Sequence, residues 1–431
     1  MWLALPGWGI GQEPARPGAL ENFIEAGASW QLEPEQFALE YGQFGFRWLS
    51  DARQRARATG DRLLLWDGAI QATEAVVDFR DGRLSGVALS IFNRGDQGVA
   101  SLPDRESFEQ RVRDLIAVIG DRLAAPGESR ARGDAEGAVR ADGWIWLTDT
   151  ASVLLEWSYQ REVRTRNVPY SPEFIRLRLA PPPRERSLLE EQLEQQQMVR
   201  REDLPANLVK SGNGDVLIGN VPMVDQGDKG YCAVATAERV FLYYGMPVDQ
   251  HEMAQIAESS SAGGTSPDKM LDALRALQGR LAVRVRSLQE WDVRDFQRLI
   301  TNYNREARRR GLPQIETGRI IDVAYVYSRM DTDTLRETRA RGADRERFLR
   351  QVRDYIDRGV PVIWSVQLGL VPERAIPQAA GGHMRLIIGY NDSTSELIFS
   401  DSWGAGHERK RMAMADAHTI TTGLYIIEPR R

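Results

Sequence analysis

The chain has a single cysteine among 431 residues, which excludes an intramolecular disulfide framework. Its four histidines, His251, His383, His407 and His418, show no repeated ligand spacing. With no second cysteine, a zinc site is not expected. No internal apolar run approaches the length of a membrane span. The formal charge of −5 comes without a basic stripe, so nucleic acid is not expected as a partner. Lysine is scarce: nearly all basic residues are arginine, which reads as coding bias rather than chemistry. What is present is ordinary for a soluble globular protein, 42% hydrophobic and 27% charged. The length is more than one core usually serves, so two domains are the default.

The lone cysteine lies in the most informative stretch. Cys232 follows Gln226-Gly-Asp-Lys-Gly-Tyr and opens the run Ala233 to Tyr244. That run carries Val234, Ala237, Val240, Phe241 and Tyr244 at helical spacing, and Gly245 with Met246-Pro247 stops it. The cysteine is therefore expected at the positive end of a buried helix. A helix N-terminus and a nearby imidazolium are two devices that lower a thiol pKa. Asp225 and Asp228 oppose this slightly, and Lys229 partly offsets them. Val221 to Gln226 reads as a strand entering the loop.

Far downstream, Gly381-Gly382-His383 begins the strand-like run Met384 to Tyr390. Asp401 ends the next apolar run, Leu397 to Phe399, with Asn391-Asp392 as the hairpin turn between them. Adjacent strands would set Asp401 beside His383, where a carboxylate orients an imidazole. Gly381 and Gly382 leave room for a substrate backbone.

Gln226, Cys232 and His383, followed by Asp401-Ser402-Trp403-Gly404, form an ordered set. This set resembles the papain-like cysteine peptidases, and most closely their C39-like branch. The match covers roughly the C-terminal half of the chain. It implies a thiol peptidase acting on peptides or proteins, without metal or organic cofactor. Cys232 would be the nucleophile, His383 the base and Asp401 its orienter, at the place where papain has asparagine. The Gln226 amide and the Cys232 N–H would hold the oxyanion, and Trp403 would cover the His–Asp bond. Two alternatives stand beside this. An amidase or transglutaminase-like enzyme shares the order Cys, His, Asp, although Gln226 and Ser-Trp-Gly favour the papain-like choice. A non-catalytic binding or scaffold relative would act through its N-terminal domain. The blander readings are a small buried hydrophobe for Cys232, a core histidine for His383 and a strand-end turn residue for Asp401.

The expected fold is α+β in both parts. Residues 1–19 are an apolar arm or the remnant of a secretory signal, and the second reading makes export the expectation. Residues 20–183 form an accessory domain, an antiparallel sheet on one main helix striped by Phe108, Val112, Leu115, Ile116 and Ile119. Its strands are expected at Leu63–Trp66, Ile70–Phe79, Leu84–Phe92, Trp144–Leu147, Ser152–Tyr159 and Phe174–Leu179, with a hairpin turn at Asp81-Gly82. Residues 184–203 read as a polar connecting helix, and 204–431 as the peptidase-like domain. Within it, Ser266 is expected to cap a helix beginning at Pro267. Charged amphipathic helices are expected at Trp291–Arg310 and Thr332–Arg358, and Leu370–Ala380 is expected to overhang the site.

Overall fold

The computed structural model describes residues 18–96, 102–131, 141–160, 170–182, 199–227, 230–246, 248, 250–257, 267–279, 281–290, 292–318, 321–341 and 343–430. Residues 1–17 of the apolar arm, Asp228, Lys229, Ser266 and residues 184–198 of the expected connecting helix lie outside these residues.

Among the described residues, the N-terminal sheet has eight antiparallel strands. Their spatial order is Arg47–Trp48, Arg55–Thr59, Glu74–Arg80, Arg83–Asn93, Ser171–Ala180, Ser152–Gln160, Asp142–Leu147 and Glu128–Ala131. Strand residues alternate between faces. One face collects Ala56, Ala58, Ala75, Val77, Leu89, Leu155 and Leu177, all buried in one apolar cluster. The helix Arg105–Leu123 closes that cluster with Phe108, Val112, Leu115 and Ile119, the predicted stripe without Ile116, which is only partly buried. Asp104 caps it by accepting from the Ser107 N–H. The expected strand Ile70–Phe79 is in fact two, Ile70–Gln71 and Glu74–Arg80. Between them the Ala72 and Thr73 N–H groups bond to Leu63 and Ser90, so the chain changes partner there.

The opposite face of this sheet is polar yet covered. Arg55, Arg57, Glu74, Glu156, Ser158 and Arg176 point that way, and Glu74, Glu156, Ser158 and Arg176 are buried. Unpaired buried charge is costly, so such a face persists only where each group finds a partner. Some partners lie on the same face, Glu74 for Arg57 and Glu156 for Arg176, and the others, Glu238, Asp225 and Glu252, lie on the C-terminal domain.

That domain is built on a second antiparallel sheet, ordered Leu208–Lys210, Asp215–Ile218, Gly381–Asn391, Val362–Leu368, Thr421–Pro429 and Val283–Gln289. The strand Glu396–Ser400 branches from it, pairing with Gly381–Asn391 and with Lys410–Ala413. Every residue of Val362–Leu368 is buried, the polar Ser365 and Gln367 included. The apolar cluster here shares no residue with the N-terminal one. Thr332–Arg358 is corrected to two helices, Thr332–Ala340 and Asp344–Ile356, because Arg341 takes an extended conformation in an Arg-Gly-Ala stretch. Val221–Gln226 is likewise no strand. Pro222 has no N–H for a ladder, its carbonyl accepts Arg239 Nε at 2.8 Å, and only Asp225 forms an isolated bridge, opposite Trp403.

Candidate active site

Cys232 is the first residue of the helix Cys232–Tyr243. Its helix stops as the sequence suggests. Gly245, at φ 73°, donates to Leu242 O, and Met246 donates to Phe241 O, the paired bonds of a Schellman turn. Val240 and Phe241 are fully buried, each contributing roughly 1.5–3 kcal/mol. This packing anchors the helix, and the Ala233 N–H of its first turn bonds the half-buried thiol.

His383 lies on the strand Gly381–Asn391, paired with Val366 on the neighbouring strand. Asp401 directly follows the strand Glu396–Ser400 on the other side. Adjacent strands thus bring the two side chains together: His383 Nε2 is 3.0 Å from Asp401 Oδ1, and both are buried. With Nε2 engaged, Nδ1 is the nitrogen left for the Cys232 thiol, and no other group among the described residues bonds it. Burial pushes the thiol pKa up. The hydrogen bond and charge of His383 and the Met384 and Ala233 N–H groups together bring it below the ordinary value. For the imidazole, burial pushes the pKa down, but Asp401 and the thiol outweigh it and hold it above the usual 6.5. A depressed thiol beside a raised imidazole is the arrangement that favours a thiolate–imidazolium pair.

Trp403 stacks on the His383 ring, centroids 4.1 Å apart and planes 6° from parallel, which shields the His–Asp bond from water. Gly382 has open space around its Cα, so the approach beside His383 is clear. Gln226 is buried, and its N–H donates to Ser402 O at 2.8 Å. Its side-chain amide makes no hydrogen bond among the described residues. The expected loop Leu370–Ala380 is tied to the site from one side, through Glu373.

Several residues here were missed from sequence. Arg385, fully buried, donates Nε to Asp401 Oδ1 at 2.7 Å and grips Glu373 with both terminal nitrogens, at 3.1 and 2.9 Å. Burial pushes Asp401 up, but His383, Arg385 and Lys410 together hold it below the usual carboxylate range. Arg239 stitches the cysteine helix to the aspartate strand, donating to Asp401 O at 3.0 Å and Ser400 Oγ at 2.6 Å. Burial lowers its pKa to about 10. Thr236 Oγ1 donates to Met384 O at 3.2 Å, joining the same helix to the histidine strand. The available signal was charge out of place: Glu238-Arg239 inside an apolar helix and Arg385 inside an apolar strand.

The remaining histidines stand apart from this cluster or brace it. His407 O accepts the Asp401 N–H at 3.0 Å, closing the loop behind the carboxylate. His418 is buried against Phe348, and burial with the Arg339 charge lowers it to about 4. His251 contacts Asn93 of the N-terminal sheet.

A cysteine at a helix start, facing a histidine and an aspartate on adjacent strands of an antiparallel sheet, defines the papain-like class. Residues 218–421 match the Peptidase_C39 like family, and the C-terminal half is a cysteine peptidase domain of that C39-like kind. Among solved structures, the chain is similar to xylellain, a cysteine protease from Xylella fastidiosa. Identity is 11%, coverage is 54% of this chain and 91% of that one, and the TM-score is 0.28. No curated protein matches the chain.

Proposed function

We propose that the C-terminal domain hydrolyses peptide bonds by acyl transfer to Cys232, with His383 and Asp401 completing a catalytic triad. The Cys232 thiolate attacks the substrate carbonyl carbon, and the C=O π pair moves onto oxygen. The Cys232 N–H and the Gln226 amide hold that oxyanion. The tetrahedral adduct collapses to a thioester as the C–N bond breaks, and the imidazolium Nδ1–H protonates the leaving amine. Water, losing a proton to His383, attacks the thioester and releases the acid and the thiol. Asp401 keeps the ring oriented with Nδ1 toward sulfur throughout. The observation that carries this reading is the His383–Asp401 bond at 3.0 Å with the other ring nitrogen left to a thiol at a helix N-terminus.

The test is cleavage of fluorescently labelled casein by wild type and by Cys232→Ala, with and without a dansylated primary amine. Casein peptides from wild type alone are expected. Incorporation of the amine in place of hydrolysis would move the assignment to a transglutaminase-like enzyme. Equal cleavage by both proteins would end the cysteine reading.

A further inference from the structure

The polar face of the N-terminal sheet meets the C-terminal domain beside Gln226 and Cys232. Arg57 Nη1 donates to Asp225 Oδ2 at 2.9 Å, while its Nε is held by the buried Glu74 at 2.8 Å. Asp225 is the residue immediately before Gln226. Its other oxygen accepts the Gly227 N–H at 2.9 Å, so one carboxylate fixes the turn on the far side of Gln226 and receives the arginine. Gly227 has φ 60°, and a Cβ there would lie 2.9 Å from Arg57 Nη2, so any other residue would be strained in its backbone and would push the guanidinium aside. The Asp225 carbonyl accepts Gln250 Nε2 at 3.2 Å, and Gln250 N donates to Glu238, which Arg55 approaches at 3.4 Å.

The neighbour of the cysteine is held in the same way. Tyr231, immediately before Cys232 and buried, donates its hydroxyl to Asn93 Oδ1 at 3.2 Å. Asn93 ends the strand Arg83–Asn93 and also accepts from the Gly95 N–H at 2.7 Å. Around these contacts the junction is built of buried ion pairs: Arg176 bonds Glu156 at 2.8 Å on its own sheet and Glu252 at 2.7 Å across it. Such pairs are satisfied only in one geometry, so they set orientation rather than supply raw affinity.

We propose that the N-terminal domain is part of the active-site machinery: Arg57 and Asn93 hold Asp225 and Tyr231, and thereby keep the Gln226 amide and the Cys232 N–H in place as oxyanion donors. Arg57 is a positioning residue in this scheme, acting through Asp225. The inference rests on the acyl-transfer reading given above and extends it to a domain that has neither cysteine nor histidine.

The test uses the full chain with Arg57→Ala, Arg57→Lys and Asp225→Asn. The last keeps an oxygen to cap Gly227 but loses the ion pair. Three quantities are read: kcat and KM on labelled casein, the pH profile of Cys232 alkylation, and hydrogen exchange at Val224–Gly227. Arg57→Ala should lower kcat about 10- to 100-fold with KM little changed, as expected for donors displaced by a fraction of an ångström to one ångström. Exchange at Val224–Gly227 should quicken while the N-terminal sheet stays protected. Cys232 alkylation should keep its depressed profile, because His383 supplies it. Arg57→Lys should recover part of kcat. Unchanged exchange and kcat in Arg57→Ala would overturn the proposal. So would exchange that quickens across the whole N-terminal sheet, since activity would then follow unfolding. If wild type cleaves no casein, the acyl-transfer reading fails by itself, and exchange at Val224–Gly227 still decides whether Arg57 holds the loop.

Discussion

The two sheets of this protein are alike in build and opposite in what they carry. Each is antiparallel and buries an apolar face under helices. The C-terminal sheet mounts His383 and Asp401 on adjacent strands, facing a cysteine on a packed helix. The N-terminal sheet carries neither cysteine nor histidine. Its second face is arginine and carboxylate, and that face is spent on the junction with the other domain. The difference teaches that chemistry requires particular residue types and so marks a sequence, whereas positioning can be done by any charge with a partner. Arg55 and Arg57 are assigned to the junction by their tertiary partners, Glu238 and Asp225.

The largest test of this contrast lies inside the C-terminal sheet. Arg385→Met would leave the Asp401 and Glu373 carboxylates facing each other in a buried site without their shared cation. A loss of about 3–5 kcal/mol in unfolding free energy is expected, read by urea denaturation. If stability hardly changes, Arg385 is not what reconciles a buried charge cluster with a folded strand. A slightly smaller effect, and one confined to rate, is expected for Gln226→Ala. Loss of one oxyanion donor should reduce kcat by about 10²–10³, roughly 2.7–4 kcal/mol, while the urea midpoint and the Cys232 alkylation profile stay put. A drop in stability of the same size would instead make Gln226 a packing residue, like its neighbours in the core.

What was legible follows the same line. The cysteine helix and its glycine stop came from apolar spacing and one φ > 0 position, both local signals. The histidine and aspartate strands came from two apolar runs flanking an Asn-Asp turn, and pairing between sequence neighbours sufficed to bring Asp401 to His383. In the N-terminal half, Arg83–Asn93, Ser152–Gln160 and Ser171–Ala180 were legible as alternating strands, each a residue or more longer than expected. The strand Arg55–Thr59 was not, because arginine and alanine carry little β preference and its pairing is set by Glu74–Arg80 beside it. Val221–Gln226 looked like a strand from composition, but a proline and an anchoring arginine use its backbone otherwise. Arg385 and Arg239 stood out in sequence only as charges inside apolar segments, because their partners are a dozen or more residues away.

The most direct measurement is the pH dependence of Cys232 alkylation by iodoacetamide, in wild type and in His383→Ala. The single cysteine makes the signal unambiguous, and no substrate is needed. The thiol is held below its ordinary value and the imidazole above its own, and both shifts favour the thiolate–imidazolium pair, so reactivity should extend to lower pH than for a free thiol and be lost as acid protonates the thiolate. The account predicts a wild-type midpoint well below about 8.5, rising toward that value in His383→Ala. An ordinary midpoint in wild type, unmoved by the substitution, would contradict it.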